Sequence, residues 1–174
     1  TWQSKEQKAD LESIFGKLTK SWKSLDYVAG WFMKAAHYNS QTNAISALVS
    51  TNSINQGQQV PILWPLILDL GNEITFAYTS FKWANLASHN AGVTVVIVAI
   101  TNKCAVEKTL HTTQRNEEIL VRTAKNINPY LVISHDVIVN KQTRPLSELH
   151  PMDYGNKPTD GGHLIFDTND ASSV

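Results

Sequence analysis

The sequence is poor in several features that would point to particular classes of protein. Its 174 residues include one cysteine, Cys104, so no disulfide is expected within the chain. No apolar run approaches the roughly 18 residues that a membrane span needs, and the first residues do not resemble a signal peptide. Fifteen basic residues balance fifteen acidic ones, which argues against a self-sufficient nucleic-acid binder because such proteins are distinctly basic.

Motifs for metal or nucleophilic chemistry are also missing. The six histidines have no paired spacing and Cys104 has no second cysteine beside it, so no metal site is predicted. The sequence contains neither a Gly-x-Gly-x-x-Gly loop nor a Walker loop. Ser50 and Ser53 lack the context of a nucleophile elbow, which leaves hydrolase chemistry with little support.

The first hundred residues alternate between helical and strand patterns. Apolar spacing predicts a helix at 24–38, with Ser24 as its N-cap and with the aromatic residues Tyr27, Trp31 and Tyr38 widening its buried surface. The predicted elements that follow are a buried strand at 44–50, a helix at 57–69, a strand at 73–79, a loop at 80–92 and a central strand at 93–100. This order predicts an α/β sheet with helices packed on its faces, and the short last gap allows an antiparallel pair.

The remaining residues are less regular. Two modest strands at 104–111 and 118–123 are predicted to form a hairpin. A turn at 126–130 and an apolar run at 131–139 come next, and a Pro- and Gly-containing linker or extended loop covers 140–162.

Three segments are candidates for a functional site. Thr51, Asn52 and Ser53 follow the first strand, where ligands bind in open α/β sheets, although they would also serve as an N-cap cluster. Phe81 and Trp83 flank Lys82 and either form an exposed stacking platform for bases or close the core. The loop at 155–162 contains paired glycines that allow close approach of a partner, or it is an ordinary turn.

Five separated segments resemble the DNA adenine methyltransferase part of MmeI-type restriction-modification enzymes. They are Leu25–Trp31, Val49–Ile54, Phe76–Trp83, Asn126–Leu131 and Gly155–Gly162, and the resemblance extends over about residues 24–166. It implies a partial Rossmann-like class I methyltransferase sheet with an antiparallel strand pair, in which 93–100 is the inserted antiparallel strand, followed by a β-rich extension. Residues 1–125 are then the carboxyl-terminal half of the methyltransferase domain, and 126–174 are a linker and the start of target recognition.

The resemblance also implies a reaction and its partners. Family members transfer a methyl group from S-adenosylmethionine to a flipped-out adenine in double-stranded DNA, in the bacterial cytoplasm. The family's cofactor loop and its Asn-Pro-Pro-aromatic catalytic loop are not in this sequence; Asn128-Pro129-Tyr130 lacks the second proline and follows the methyltransferase strands. Because the chain starts at Thr1 without an initiator methionine, we expect a fragment that is inactive alone and self-associates through an exposed sheet edge.

Site roles follow from the resemblance residue by residue. The implied cofactor-proximal residues are Asp26, Tyr27 and Trp31, and the implied floor of the cleft is Thr51, Asn52 and Ser53. Phe81 is the first candidate for stacking on the target adenine, and Trp83 is the second. The candidate DNA contacts are Lys82, Arg144, Asn156 and Lys157.

Two other classes of function stay open at this level. One is a non-catalytic DNA-contact or protein-interaction module of α/β type, and the other is an independent small nucleotide-binding domain. For Lys82, Arg144 and Lys157 the alternative role is that of an ordinary solvated surface charge.

Overall fold

The computed structural model describes residues 3–83, 92–102, 107–140, 142 and 147–148. The helices of this part are α1 (Lys5–Phe15), α2 (Val28–Thr42) and α3 (Gln59–Asp69). Its strands are β1 (Ile45–Thr51), β2 (Glu73–Lys82), β3 (Thr94–Thr101), β4 (Lys108–Thr113) and β5 (Ile119–Ala124). The chain divides into two compact units, Thr1–Lys141 and Gln142–Val174, and all of these elements belong to the first.

The five strands form one sheet in the order β1-β3-β2-β4-β5. β3 is antiparallel to both β1 and β2, β4 is parallel to β2, and β5 is antiparallel to β4. The mixed α/β fold, the antiparallel pair and the hairpin of the last two strands are therefore confirmed. The central position of β3 is also confirmed, since most of its side chains are buried, as its β-branched composition favours.

The helices of the described part pack on one face of the sheet, here called the helix face. Val96, Val98 and Ile100 of β3 share a hydrophobic core with Phe32 of α2 and Trp64 of α3. The opposite face, here called the open face, carries large side chains that remain exposed: Ile45, Val49, Ile119 and Val121. β1 was predicted to be buried, and this is wrong, because among the described strands it has a neighbour on one side only.

The start of α2 also differs from the prediction. Ser24 is not an N-cap but the end of a 3₁₀ turn at Trp22–Ser24, and α2 begins at Val28. Gln59 of α3 fixes the preceding segment, because its Nε2 donates to the carbonyl oxygen of Ser24 at 2.9 Å and its Oε1 accepts from the backbone N–H of Asp26 at 3.1 Å. Trp31 and Tyr38 are exposed, so the expectation that most sides of this helix are covered is wrong for the described chain.

β2 is longer than the predicted strand. The sequence pattern predicts a loop for Ser80, Phe81 and Lys82, whereas the structure places them in β2, with Phe81 opposite Val95 and Lys82 opposite Thr94. Two register shifts, between Ile74 and Phe76 and between Tyr78 and Phe81, let the strand follow β3 over this length. The sequence pattern ended the strand early because extra residues at these shifts break the simple alternation.

A buried amide network joins α2 to the sheet. Asn39 donates from Nδ2 to the carbonyl oxygen of Ile100 at 2.9 Å and to Oδ1 of Asn72 at 3.2 Å, and its own Oδ1 accepts from Ser46 at 2.7 Å. Asn72 in turn donates to the carbonyl oxygen of Ala36 at 3.0 Å. Because these amides are almost fully buried, each lost partner leaves a polar group without water to replace it.

We therefore expect Asn39→Ala to lower the free energy of unfolding by about 2–3 kcal/mol, as removal of a buried partner does. Ser40→Ala is the matched control, because Ser40 is exposed and its one hydrogen bond to a described residue stays within its own helix, at the carbonyl oxygen of His37. The control should stay within about 0.5 kcal/mol of the unaltered chain in urea unfolding. Equal losses in the two variants would contradict the role of this network.

Candidate functional site

The pairing of β3 brings two predicted groups to one edge of the sheet. Thr51 at the end of β1 and Phe81 near the end of β2 both lie opposite Val95 of β3. Residues directly opposite each other in a sheet share a face, so the side chains of Thr51 and Phe81 both belong to the open face. Two strand spacings separate their backbones, which corresponds to about 10 Å.

Phe81 is part of a row of rings on the open face. Its ring meets that of Tyr78 edge-on, with 4.9 Å between centroids, and that of Trp83 at 6.4 Å. On β4, His111 extends the row with a stacked contact to Tyr78 at 6.0 Å and a contact to Phe76 at 4.7 Å. The row ends at the sheet edge with Trp83, which is 44% exposed.

The register shift in β2 decides which way Phe81 faces. Residues three apart on a regular strand lie on opposite faces, yet Tyr78 and Phe81 are in ring contact on the same face. The register shift between them adds one residue to β2, and this places both rings on the same face. Neither Phe81 nor Trp83 belongs to the hydrophobic core that the described residues form.

The floor residues contact the start of α2 through side chains. Ser53 donates from Oγ to Oδ2 of Asp26 at 2.6 Å, and the hydroxyls of Thr51 and Ser53 lie 2.9 Å apart. Asp26 is thus joined to the end of β1. The interpretation of Thr51–Ser53 as an N-cap cluster is wrong: residues Asn52–Asn55 form a 3₁₀ turn with no side-chain cap, and α3 begins beyond it at Gln59.

Tyr27 and Trp31 face α1 rather than the floor. Both line a depression of about 140 Å³ beside α1, together with Asp10 and Lys34. Tyr27 donates from its hydroxyl to Oδ2 of Asp10 at 2.8 Å, and Trp31 is 57% exposed. The three residues that the resemblance places near a cofactor therefore divide, with Asp26 at the floor and the two aromatics facing α1.

Of the four predicted DNA contacts, Lys82 lies in the described part of the chain. Lys82 is exposed and pairs with Thr94, so as the next residue of the strand it lies on the face opposite to Phe81. Arg144, Asn156 and Lys157, with the glycine loop at 155–162, lie outside the described residues. In the part that the structure describes, no cluster of His, Cys, Asp or Glu is able to hold a metal ion.

A search of the described helices finds none with the length and apolar character to cross a membrane.

Sequence reasoning missed Gln59 as a site residue. This nearly buried side chain holds the backbone of Ser24 and Asp26 in place and so orients the carboxylate that Ser53 contacts. The available signal was its position, because Gln59 precedes Leu63 and Ile67 at four-residue intervals on the buried side of α3. A glutamine on such an apolar stripe indicates a specific hydrogen-bonding role.

The contact between Tyr27 and Asp10 has a measurable electrostatic effect. The hydrogen bond to the Asp10 carboxylate raises the pKa of Tyr27, because an ionised phenolate would lose that bond and face a like charge. The folded pKa is the higher one, so the bond stabilises the fold below the ordinary tyrosine pKa of about 10. That contribution is lost as the pH rises through the raised value.

We expect the NMR titration of the Tyr27 ring to have its midpoint above about 10 and to move back toward that value in Asp10→Asn. Glu12→Gln is the control, since it removes an exposed carboxylate from the same helix without taking away the partner of the Tyr27 hydroxyl. A titration that Asp10→Asn leaves unchanged would contradict the contact.

Comparison with known proteins gives two family matches in chain order. Residues 1–112 match the model for the MmeI DNA-methyltransferase domain, and residues 133–174 match the model for the MmeI target recognition domain. A curated relative, DNA methyltransferase A of Bacillus subtilis (strain 168), is 46% identical over 168 residues, covering 94% of this chain and 18% of the relative.

A solved structure agrees with these matches. The Type IIL restriction-modification enzyme MmeI in complex with DNA aligns with a TM-score of 0.87 and 47% identity over 98% of this chain and 23% of that one. The chain thus spans less than a quarter of the length of either protein. By its family match, sequence identity and fold, the chain belongs to the MmeI DNA-methyltransferase family.

Proposed function

We propose that this chain is part of a DNA adenine methyltransferase of a bacterial restriction-modification enzyme, here called the parent enzyme. Residues 1–125 contribute the carboxyl-terminal half of its methyltransferase domain, and residues 126–174 contribute a linker and the start of target recognition. The observation that carries the proposal is the alignment of Thr51 and Phe81 across Val95. It supports a single cleft at this edge, with a polar floor on one side and an aromatic platform on the other.

Methyl transfer to a base in DNA requires the base to leave the duplex. An exocyclic amino group inside the stack is inaccessible, so such enzymes flip the nucleotide and hold the base against aromatic side chains. Phe81 suits this role because it lies at the sheet edge outside the core, while Tyr78 supports its ring from the side. Trp83, which is more exposed, is the second candidate.

Alignment is the main contribution that these residues make to the reaction. Direct transfer to an amine needs the reacting atoms in line and an environment that tolerates positive charge on nitrogen, rather than a nucleophilic side chain. Asp26 supplies a carboxylate near the floor, and its position is fixed by Ser53 and Gln59. The arrangement of Thr51, Ser53 and Asp26 thus keeps the floor rigid and polar.

The methyl donor of this proposal is S-adenosylmethionine, which supplies the methyl group when bound. Trp31 is 57% exposed and so has surface free to pack against it, although the side chain lies beside α1 rather than at the floor. Tyr27 fits less directly, since its hydroxyl bonds to Asp10. Asp26 acts within the floor network rather than beside Trp31.

Double-stranded DNA is the proposed partner of the parent enzyme, and the bacterial cytoplasm is its proposed location. Lys82 at the sheet edge, with Arg144, Asn156 and Lys157 farther along the chain, contributes to contacts with DNA. In the chain alone, β1 has a strand on one side only among the described residues. The exposed Ile45 and Val49 of β1 favour self-association of the isolated chain through the unpaired side of this strand.

Replacing Phe81 tests the stacking role. In the parent enzyme, Phe81→Ala should lower kcat/KM for DNA methylation roughly 5- to 150-fold, since loss of one base–aromatic stack costs about 1–3 kcal/mol. The fluorescence of a base analogue placed at the target position should change less on binding. Phe76→Ala is the matched control, because Phe76 is on the same face of β2 but away from the edge. Unchanged methylation and fluorescence in Phe81→Ala would rule out stacking by Phe81.

The isolated chain provides a second test. Titration of S-adenosylmethionine into the 174-residue chain should produce no binding heat in calorimetry, because the family's cofactor loop and catalytic loop are absent from this sequence. The parent enzyme should bind the same compound under the same conditions. Tight binding by the isolated chain would contradict the division of the domain proposed above.

A further inference from the structure

Residues 126–139, here called the strap, follow β5 without forming a helix or strand. Ile127 and Leu131 are buried in the core of the first unit, whereas Val132, Val137 and Val139 are exposed. The strap connects two family matches, because the methyltransferase match ends at residue 112 and the target-recognition match begins at residue 133. Its second half therefore belongs to target recognition but packs with the methyltransferase unit.

Side-chain hydrogen bonds hold the strap in shape. Asn128 accepts at Oδ1 from the backbone N–H groups of Tyr130 at 3.0 Å and Val132 at 3.1 Å. Farther along, the N–H of Val139 donates to the hydroxyl of Tyr130 at 3.0 Å. Leu131, at the turn, has a φ of 57°, a left-handed conformation that a residue with a side chain adopts at an energetic cost.

One buried side chain ties the strap to the floor. Asn55 is 4% exposed, and its Nδ2 donates to the carbonyl oxygen of Pro129 at 2.7 Å. Its Oδ1 is buried and has no hydrogen-bond partner among the described residues. An unsatisfied buried acceptor is unfavourable, so the amide is poorly explained by stability alone.

The same short turn carries the floor and the tether. Residues Asn52–Asn55 form one 3₁₀ turn, in which Ser53 bonds to Asp26 and Asn55 bonds to Pro129. A small pocket beside this turn is lined by Asn52 and Asn55 from the floor, by Ser80 of β2 and by Tyr130 of the strap, among others. The strap and the floor are thus joined through two residues of a single turn.

We propose that Asn55 is a positioning residue that couples target recognition to methyl transfer. Through Pro129 it holds the strap, which leads into the first target-recognition residues, in a fixed place beside the floor of the cleft, so that a base is presented correctly only when recognition contacts are made. This role rests on the proposed function. It concerns discrimination between DNA sequences, because a loosened strap lets the cleft act with incomplete recognition.

The test compares DNA sequences in the parent enzyme. For Asn55→Ala, the ratio of kcat/KM on the recognised sequence to that on a sequence with one changed base pair should fall roughly fivefold, which is the scale of one lost hydrogen bond. The KM for S-adenosylmethionine should stay unchanged. Tyr130→Phe, which frees Val139 at the other end of the strap and leaves the core intact, should lower the ratio roughly twofold by the same reasoning.

Asn39→Ala separates positioning from general destabilisation. Asn39 is also a buried asparagine with a bond to a backbone carbonyl, but it lies between α2 and the sheet, away from the strap. It should reduce stability and leave the ratio unchanged. A ratio that is unaltered in both Asn55→Ala and Tyr130→Phe, or that falls equally in Asn39→Ala, overturns the coupling. If the unaltered parent enzyme methylates no DNA, the proposed function itself fails.

Discussion

The antiparallel insertion of β3 between β1 and β2 is the constraint on which the candidate site depends. Because β3 runs against both neighbours, β1 and β2 run in the same direction and end at one edge of the sheet. Thr51 and Phe81 are then aligned on the two sides of Val95. The apolar, β-branched side chains of β3 hold this arrangement, since Val96, Val98 and Ile100 bury against the helices.

Much of the fold could be predicted from local pattern. β3 and α3 carry strong signals, because one is a continuous β-branched run and the other is an apolar helix that ends just before Gly71, whose φ is 74°. The errors arise where distant residues decide the local structure. Gln59 holds the backbone of Ser24 and Asp26 just before α2, although it is 35 residues away from Ser24 in sequence. The single-sided pairing of β1 depends on strand order, which no local pattern encodes.

The candidate site was predictable in part for the same reason. Thr51–Ser53 and Phe81 were located by resemblance and by their place at strand ends, and the sheet brings them to one edge. The bond between Ser53 and Asp26 joins residues 27 positions apart and could not be anticipated from spacing. Nor could the contact of Tyr27 with Asp10, which turns that side chain toward α1. Asn55 gave no signal, because a buried amide in a turn looks like any exposed polar residue.

The extra residue in β2 between Tyr78 and Phe81 decides which face of the sheet each later residue of the strand lies on. With it, rings from β2 continue along the open face to the sheet edge, and Lys82 lies on the other side. If the same residues ran as a regular strand without the bulge, Phe81 would lie opposite Thr94 on the helix face, and the Lys82 side chain would take its place on the open face. Deletion of Thr79 or Ser80 would instead remove the bulge and leave Phe81 opposite Val95, so the face that the ring occupies depends on the bulge only while the strand keeps its present length.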